Sequence, residues 1–501
     1  MEVTLISPYG NLDNIGIRGI SSYLKSKGFS VNLVFLPYET DEGQAMRYDL
    51  EYSNQVLQQL AELCKNSNLI GITVMANYAE RCKKMTKILK EKTSALVVWG
   101  GIHPTFCPKE CASIADVVCV GEGEDTFLEL CNLINEKKSF DNVKGIAFMK
   151  NNQYNENEVR ELTYDLDVYP DADYLDMSRH YVLKNNKIVK LTKEIYKNMM
   201  WVEGGRRKFM TFTTRGCPHR CTFCCNSTLV KIFKGKGNFI RKRSIERVIK
   251  EMENIKEHFP FVEYIGIGDE VFFVRSDDEI REFSEKYKSR INLPLQCEFS
   301  PMTVTDSKFK AMIDCGLVAV QMGVQSGSDE LNFKMYERYQ TQDTVLKAAK
   351  IIDRYKDHLD FYCYHFIIGN PLESNKSKIE TIKFMFKLPD GFLASFFPLV
   401  FYPGAKLTEE ARKKGLIKED DFHYTDGWNV RRWKHMGYLD YLIKVLVFLR
   451  NRGVLTHDKK RTQTVLNLTT NNIIVKLCSN KVFLTPVYGF FLMYSRFVHT
   501  F

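Results

Sequence analysis

Short runs of β-branched and apolar residues alternate with helical stretches along most of this 501-residue chain, and that alternation restricts the fold more than any other property. In the first third the runs are Val3 to Ser7, Val31 to Phe35, Leu69 to Val74, Leu96 to Gly100 and Asp116 to Val120. Helical stretches such as Ile15 to Lys27, Tyr78 to Lys92 and Thr126 to Asn135 separate them. Strands this apolar, joined through helices, predict a parallel sheet covered on both faces. Open sheets of that kind bind ligands at the carboxyl edge of the strands. Thr73, Gly100-Gly101 and Gly121-Glu122-Gly123 sit at that edge, after the third, fourth and fifth runs. Glycines at such corners let a large flat ligand approach the backbone.

A second series follows. Lys208 to Thr214, Glu263 to Ile267, Leu293 to Phe299, Leu317 to Met322, Phe361 to Ile368 and Phe392 to Val400 read as six further strands, with helices such as Ser244 to His258 between them. Six βα units in series predict a partial barrel whose site lies at the strand C-termini. The expected fold class is therefore α/β. An N-terminal flavodoxin/Rossmann-like doubly wound sheet (1–145) is followed by a linker (146–205), a partial (β/α)6 TIM-type barrel (206–410) and a mainly helical C-terminal cap (411–501). The linker assignment rests on the Asn- and Glu-rich run from Lys150 to Arg160 and on Tyr169-Pro170-Asp171.

The chemistry concentrates in one loop. Cys217, Cys221 and Cys224 follow the first barrel strand with Cys-x3-Cys-x2-Cys spacing. Three thiolates can hold a metal cluster with one iron left without a protein ligand, and an open position separates a reactive centre from a structural one. A closed zinc site completed by His219, or buried thiols with no metal, are the alternatives. Cys225 reads as a small buried side chain, because adjacent residues point their side chains apart.

This spacing, with Phe223 before the third cysteine, resembles the radical S-adenosylmethionine (SAM) enzymes, in which three cysteines bind a [4Fe-4S] cluster. Gly268-Asp269-Glu270 is similar to the family's Gly-Gly-Glu element at the SAM amino group, with Asp269 in place of the second glycine. Gly323-Val324-Gln325-Ser326-Gly327 and Gly369-Asn370-Pro371-Leu372-Glu373 resemble further family segments. The resemblance implies that Phe223, Gly268, Asp269, Glu270, Gln325 and Ser326 contact SAM, with Glu298 as a candidate for its ribose. The segment Val97 to Glu124 resembles the cobalamin-binding domain joined to one branch of these enzymes, which would put Thr73, Gly100, Gly101, Gly121, Glu122 and Gly123 on cobalamin. One departure matters: no Asp-x-His-x-x-Gly motif is present, so no histidine is supplied to cobalt from the loop after the first strand. His103, the only histidine near that edge, reads as a hydrogen-bonding or capping residue.

The family chemistry implies that the reduced cluster cleaves SAM to methionine and a 5′-deoxyadenosyl radical, which removes hydrogen from an unactivated carbon. With cobalamin, methyl transfer to that carbon is the expected outcome. Radical cyclisation, oxidation or rearrangement without methyl transfer is the alternative, and a non-catalytic corrinoid or redox sensor is the second. The implied partners are a small-molecule or lipid-like substrate and a reducing donor such as flavodoxin or ferredoxin.

Composition agrees with this reading. Fourteen scattered cysteines do not form a secreted disulfide framework, no signal peptide opens the chain, and a reducing cytoplasmic setting is expected. Of the net charge of +10, much lies in Lys231 to Arg247, which reads as a solvated face because no aromatic residues stack between the charges; no nucleic acid is expected. Tyr438 to Leu449 and Val482 to Met493 are apolar but shorter than the roughly 20 residues a bilayer requires. A peripheral membrane contact is the sharper alternative to a cap over the barrel.

Overall fold

Five parallel strands, β1 (Glu2–Ser7), β2 (Ser30–Phe35), β3 (Leu69–Thr73), β4 (Leu96–Gly100) and β5 (Val117–Cys119), form the centre of the first sheet. They come from a computed structural model that describes residues 1–37, 51–417, 436–455 and 460–479. Their spatial order, β5-β4-β3-β1-β2, is the flavodoxin-like doubly wound order, with its switch point between β1 and β3. The strands are apolar because both faces are covered: Ile6, Val34, Ile70, Val97 and Trp99 are buried on one face and Val3, Leu5, Leu33 and Val98 on the other. Trp99 satisfies its indole by donating to Thr86 Oγ1 at 2.8 Å. Burying a side chain of this kind contributes about 1.5–3 kcal/mol. Gly71 lies inside β3 because a Cβ there would come within 2.7 Å of the Phe127 ring and 2.8 Å of Leu5.

The span read as a linker is sheet. Residues 146–205 contribute the hairpin β6 (Ile146–Lys150) and β7 (Gln153–Glu156), antiparallel beyond β5, and the hairpin β8 (His180–Lys184) and β9 (Lys187–Lys190) beyond β2. Among the described residues the sheet thus has nine strands. Both hairpins turn on Asn pairs with positive φ, Asn151-Asn152 and Asn185-Asn186, the backbone that two-residue turns of twisted hairpins require. Their outer strands are polar because they are half exposed, and this polarity makes them look like linker. Asp173 locks the segment to the first helix (Ile15–Ser26). Its carboxylate accepts from Ser21, Lys25 and His180, and these partners outweigh its burial to leave its pKa below the ordinary value.

The chain divides into two compact units, and the whole first sheet lies in unit 1 with residues 1–272, 282–296 and 401–427. Unit 1 also holds β10 (Val202–Glu203), antiparallel to β11 (Arg206–Thr211), which is parallel to β14 (Tyr264–Ile267). The short pair β12 (Thr214–Arg215) and β13 (Arg241–Lys242) frames the cysteine loop. Strand β15 (Leu295–Phe299) gives its first two residues to unit 1 and its last three to unit 2. Unit 2 continues with β16 (Leu317–Gln325), β17 (Phe361–Ile368) and β18 (Leu393–Pro398), paired in parallel from β16 on. Strands β11 and β14 to β18 are each followed by a helix in chain order, the repeated βα pattern expected of the partial barrel.

Within unit 2, the helix Tyr438–Asn451 docks on the end of β17. Asp440 accepts from the Gly369 amide at 2.9 Å and from Lys378 Nζ at 2.7 Å. Arg450 holds Asp390 at 2.9 Å and donates to the Leu388 carbonyl at 2.6 Å. The helical character expected of the C-terminal region holds for Tyr438–Asn451, Lys460–Thr469 and Asn472–Cys478, while Val482 to Met493 lies outside the described residues. No described helix is long and apolar enough to cross a membrane.

Candidate functional site

The cysteine loop is built on two acidic residues and a glycine. After β11 the chain passes Thr213 and Thr214, whose amides and the Thr213 hydroxyl donate to the fully buried carboxylate of Asp269, just beyond β14. Asp269 therefore ties the base of the loop to the neighbouring strand end. Gly216 then turns at φ +90°, where a Cβ would run into the Phe239 carbonyl, so only glycine fits. Cys221 is buried and Cys217 and Cys224 half-buried, with the Cys224 amide donating to the Cys221 carbonyl at 3.0 Å.

The three thiols are close enough to act on one another electrostatically. Burial, with smaller contributions from Glu270 and the other two cysteines, pushes Cys217 up to about 12. Cys224 is lowered to about 7 by the Cys225 thiol, helped by the Asn226 amide and side chain against the opposing effect of burial.

Glu270 completes this side. Asn226, at the start of the helix after the cysteines, donates to the Glu270 carboxylate and lies 3.7 Å from Cys224 Sγ. Glu270 is exposed by surface area yet surrounded closely enough that desolvation raises its pKa. Gly268 leaves room for the Phe212 ring, which would lie 2.7 Å from a Cβ.

A cavity of about 660 Å³ joins this side to the edge of the first sheet, entirely within unit 1. All six residues expected on cobalamin line it: Thr73, Gly100, Gly101, Gly121, Glu122 and Gly123. So do Gly216, Asn226 and Glu270 from the cysteine side. Tyr9, from the loop after β1, bonds Thr73 Oγ1 at 3.1 Å and stacks on Tyr78 with ring centroids 5.0 Å apart. Asp13 also lines the cavity, and burial lifts its carboxyl to about 6 against the pull of Arg18. Among the described residues no histidine lines the cavity: His103 is buried in the helix Ile102–Phe106, with its amide on the Val74 carbonyl at 3.2 Å.

The remaining candidates belong to unit 2. Gln325 ends β16 at φ +65°, a left-handed conformation uncommon for a residue with a side chain. The Ser326 hydroxyl pairs with Thr381 Oγ1 at 2.9 Å and accepts from the Ser328 amide at 3.0 Å, so it holds its own loop. Glu298 is exposed at the end of β15. Phe223 is half-buried between Cys221 and Cys224 in unit 1. Residues that sequence reasoning passed over include Asn226, Tyr9, Asp13 and Arg215. Asn226 directly follows the cysteine cluster, and Tyr9 follows the strand at the switch point, so position alone could have marked both.

The radical SAM superfamily model matches residues 211–385, and the B12 binding domain model matches residues 1–131. An uncharacterized methyltransferase of Pyrococcus horikoshii is 27% identical over 397 residues, 77% of this chain and 78% of that protein. Two solved structures share the fold. The radical SAM methyltransferase TsrM from Kitasatospora setae, with cobalamin and a [4Fe-4S] cluster bound, superposes with a TM-score of 0.62 at 17% identity, over 82% of this chain and 75% of that one. The cobalamin-dependent radical enzyme OxsB, with aqua-cobalamin and SAM bound, reaches 0.65 at 17% identity, over 99% and 75%.

Proposed function

The chain belongs to the radical SAM enzymes that carry a B12 binding domain, and from that membership we propose that it methylates an unactivated carbon of a small molecule, with SAM and cobalamin held on one shared cavity. The observation that carries the proposal is the lining of that cavity, which takes residues from both the sheet edge and the cysteine loop. When bound, the cluster and SAM supply a carbon-centred radical, and cobalamin supplies a transferable methyl group.

The protein's part is to bind, orient and exclude water. Cys217, Cys221 and Cys224 hold the cluster on a loop fixed by Asp269. Glu270, positioned by Asn226, would receive the SAM amino group, and Phe223 and Gly268 belong to the same unit. Asp269 is engaged through its carboxylate with Thr213 and Thr214, so only its backbone would be left to meet SAM. Thr73 and the glycine corners would hold the cobalamin.

The reaction needs a reductant for the cluster, which a flavodoxin or ferredoxin would provide. The fourteen cysteines are scattered along the chain with no dense disulfide framework, which suits a reducing cytoplasmic setting for an oxygen-labile cluster. The test is anaerobic reconstitution with iron, sulfide and hydroxocobalamin, then desalting and reduction with trideuteromethyl-SAM. One retained equivalent of cobalamin carrying the deuterated methyl group is the expected result. Cobalamin retained without label, alongside 5′-deoxyadenosine, would replace methyl transfer with radical cyclisation or oxidation. Neither product would leave the sensor reading.

A further inference from the structure

Two arginines beside the cysteine loop converge on one carboxylate of the cobalamin-side corner. Arg215, two residues before Cys217, stands opposite Arg241 in the β12–β13 pair. Like charges directly opposite in a sheet repel and destabilise it. Glu122 resolves that conflict: its Oε2 lies 3.1 Å from Arg215 and 3.0 Å from Arg241, and its Oε1 meets Arg241 again. Glu124 takes the other end of Arg215 at 2.5 Å, and Arg241 also donates to the Thr163 carbonyl at 3.0 Å. Arg241 and Glu124 are each only 4% exposed. The Phe233 ring closes the joint from the side, 2.9 Å from where a Cβ on Gly121 would sit.

We propose that Glu122 is a positioning residue that couples the two cofactor walls, so that cobalamin on the Gly121–Gly123 corner strengthens SAM binding at the cysteine loop through Arg215 and Arg241. The inference rests on the reading that both cofactors share the cavity. A charged, hydrogen-bonded joint suits coupling because removing one member leaves buried charges without compensation, so the loop and the corner move together or not at all. Thermodynamic linkage then requires SAM to strengthen cobalamin binding by the same factor.

The test uses the full chain with its cluster loaded and oxidised, so that SAM binds without being cleaved. SAM affinity is measured by calorimetry with and without saturating hydroxocobalamin, and cobalamin affinity by visible absorbance with and without SAM. In the wild type each cofactor is expected to tighten the other by about fivefold or more. Glu122 also lines the cobalamin corner, so Glu122→Gln is expected to weaken each cofactor measured alone, and the joint is read from the coupling factor, which should fall to near one. Glu122→Asp keeps the charge, shortens the reach and should give an intermediate factor, and it carries the test if the glutamine variant does not fold. Glu129→Gln, which breaks a separate ion pair with Arg160, should keep the wild-type factor. A wild-type factor of one, or an unchanged factor in Glu122→Gln and Glu122→Asp, overturns the joint. Failure of the wild type to bind cobalamin overturns the shared-cavity reading, a different result from two cofactors that bind independently.

Discussion

Asp269 shows how a residue can match a family position and still do different work. Its carboxylate holds Thr213 and Thr214, so Asp269→Asn replaces an acceptor with a donor and leaves one loop amide or hydroxyl without its partner. That costs about 1–3 kcal/mol, and cluster retention against a chelator should weaken by roughly fivefold or more. Cys221→Ala should abolish the cluster's visible absorbance, whereas Cys225→Ala should keep it. Asp13 gives a pH signature. Its carboxyl is raised from 3.8 to about 6, so the protonated form is favoured in the folded chain. Its stabilising contribution is complete below 3.8 and is lost as pH rises through about 6. Asp13→Asn should therefore flatten the loss of thermal stability between pH 4 and pH 7, and an unchanged slope in thermal melts would contradict it. The cysteines were legible because spacing in sequence determines their spacing in a loop. Arg215 was not, because its partners Glu122 and Glu124 lie far along the chain, and Asp13 was not, because its shift comes from burial, which only the fold creates.

The strands were legible at the scale of elements wherever burial was symmetric. Leu96–Gly100 and Phe361–Ile368 match the expected bounds residue for residue, since both faces of each strand are covered or packed. The hairpins at 146–190 were hidden because their outer strands face solvent and carry polar residues. Strand β16 outruns its expected end at Met322 because a register shift at Gly323/Gln325 carries the pairing onward to Gln325. The cysteine loop depends on Gly216, whose φ of +90° and contact with the Phe239 backbone admit no side chain. Gly216→Ala should fold the first sheet normally yet fail to assemble the cluster, as read by far-ultraviolet circular dichroism together with iron content. Full iron occupancy in that variant would show that the loop tolerates another path.

For the whole molecule, the basic run from Lys231 to Arg247 changes meaning once partners are seen. Arg241 pairs with Glu122, Arg243 with Glu251 and Asp171, and Arg247 with Asp171, so these arginines hold unit 1 together. Fold class and cofactor set could be read from sequence because both rest on local pattern. The shared cavity could not, because it is made by residues as far apart as Tyr9 and Glu270. Among the described residues the cavity lining holds no histidine, which predicts that ¹⁵N-histidine labelling leaves the cob(II)alamin paramagnetic resonance spectrum unchanged; altered nitrogen splitting would place a histidine on cobalt. The most direct test of the central claim is the same spectrum recorded with the cluster oxidised and then reduced. One shared cavity predicts that reducing the cluster broadens the cob(II)alamin signal or speeds its relaxation through spin–spin interaction. An identical cob(II)alamin signal in both cluster states would contradict it.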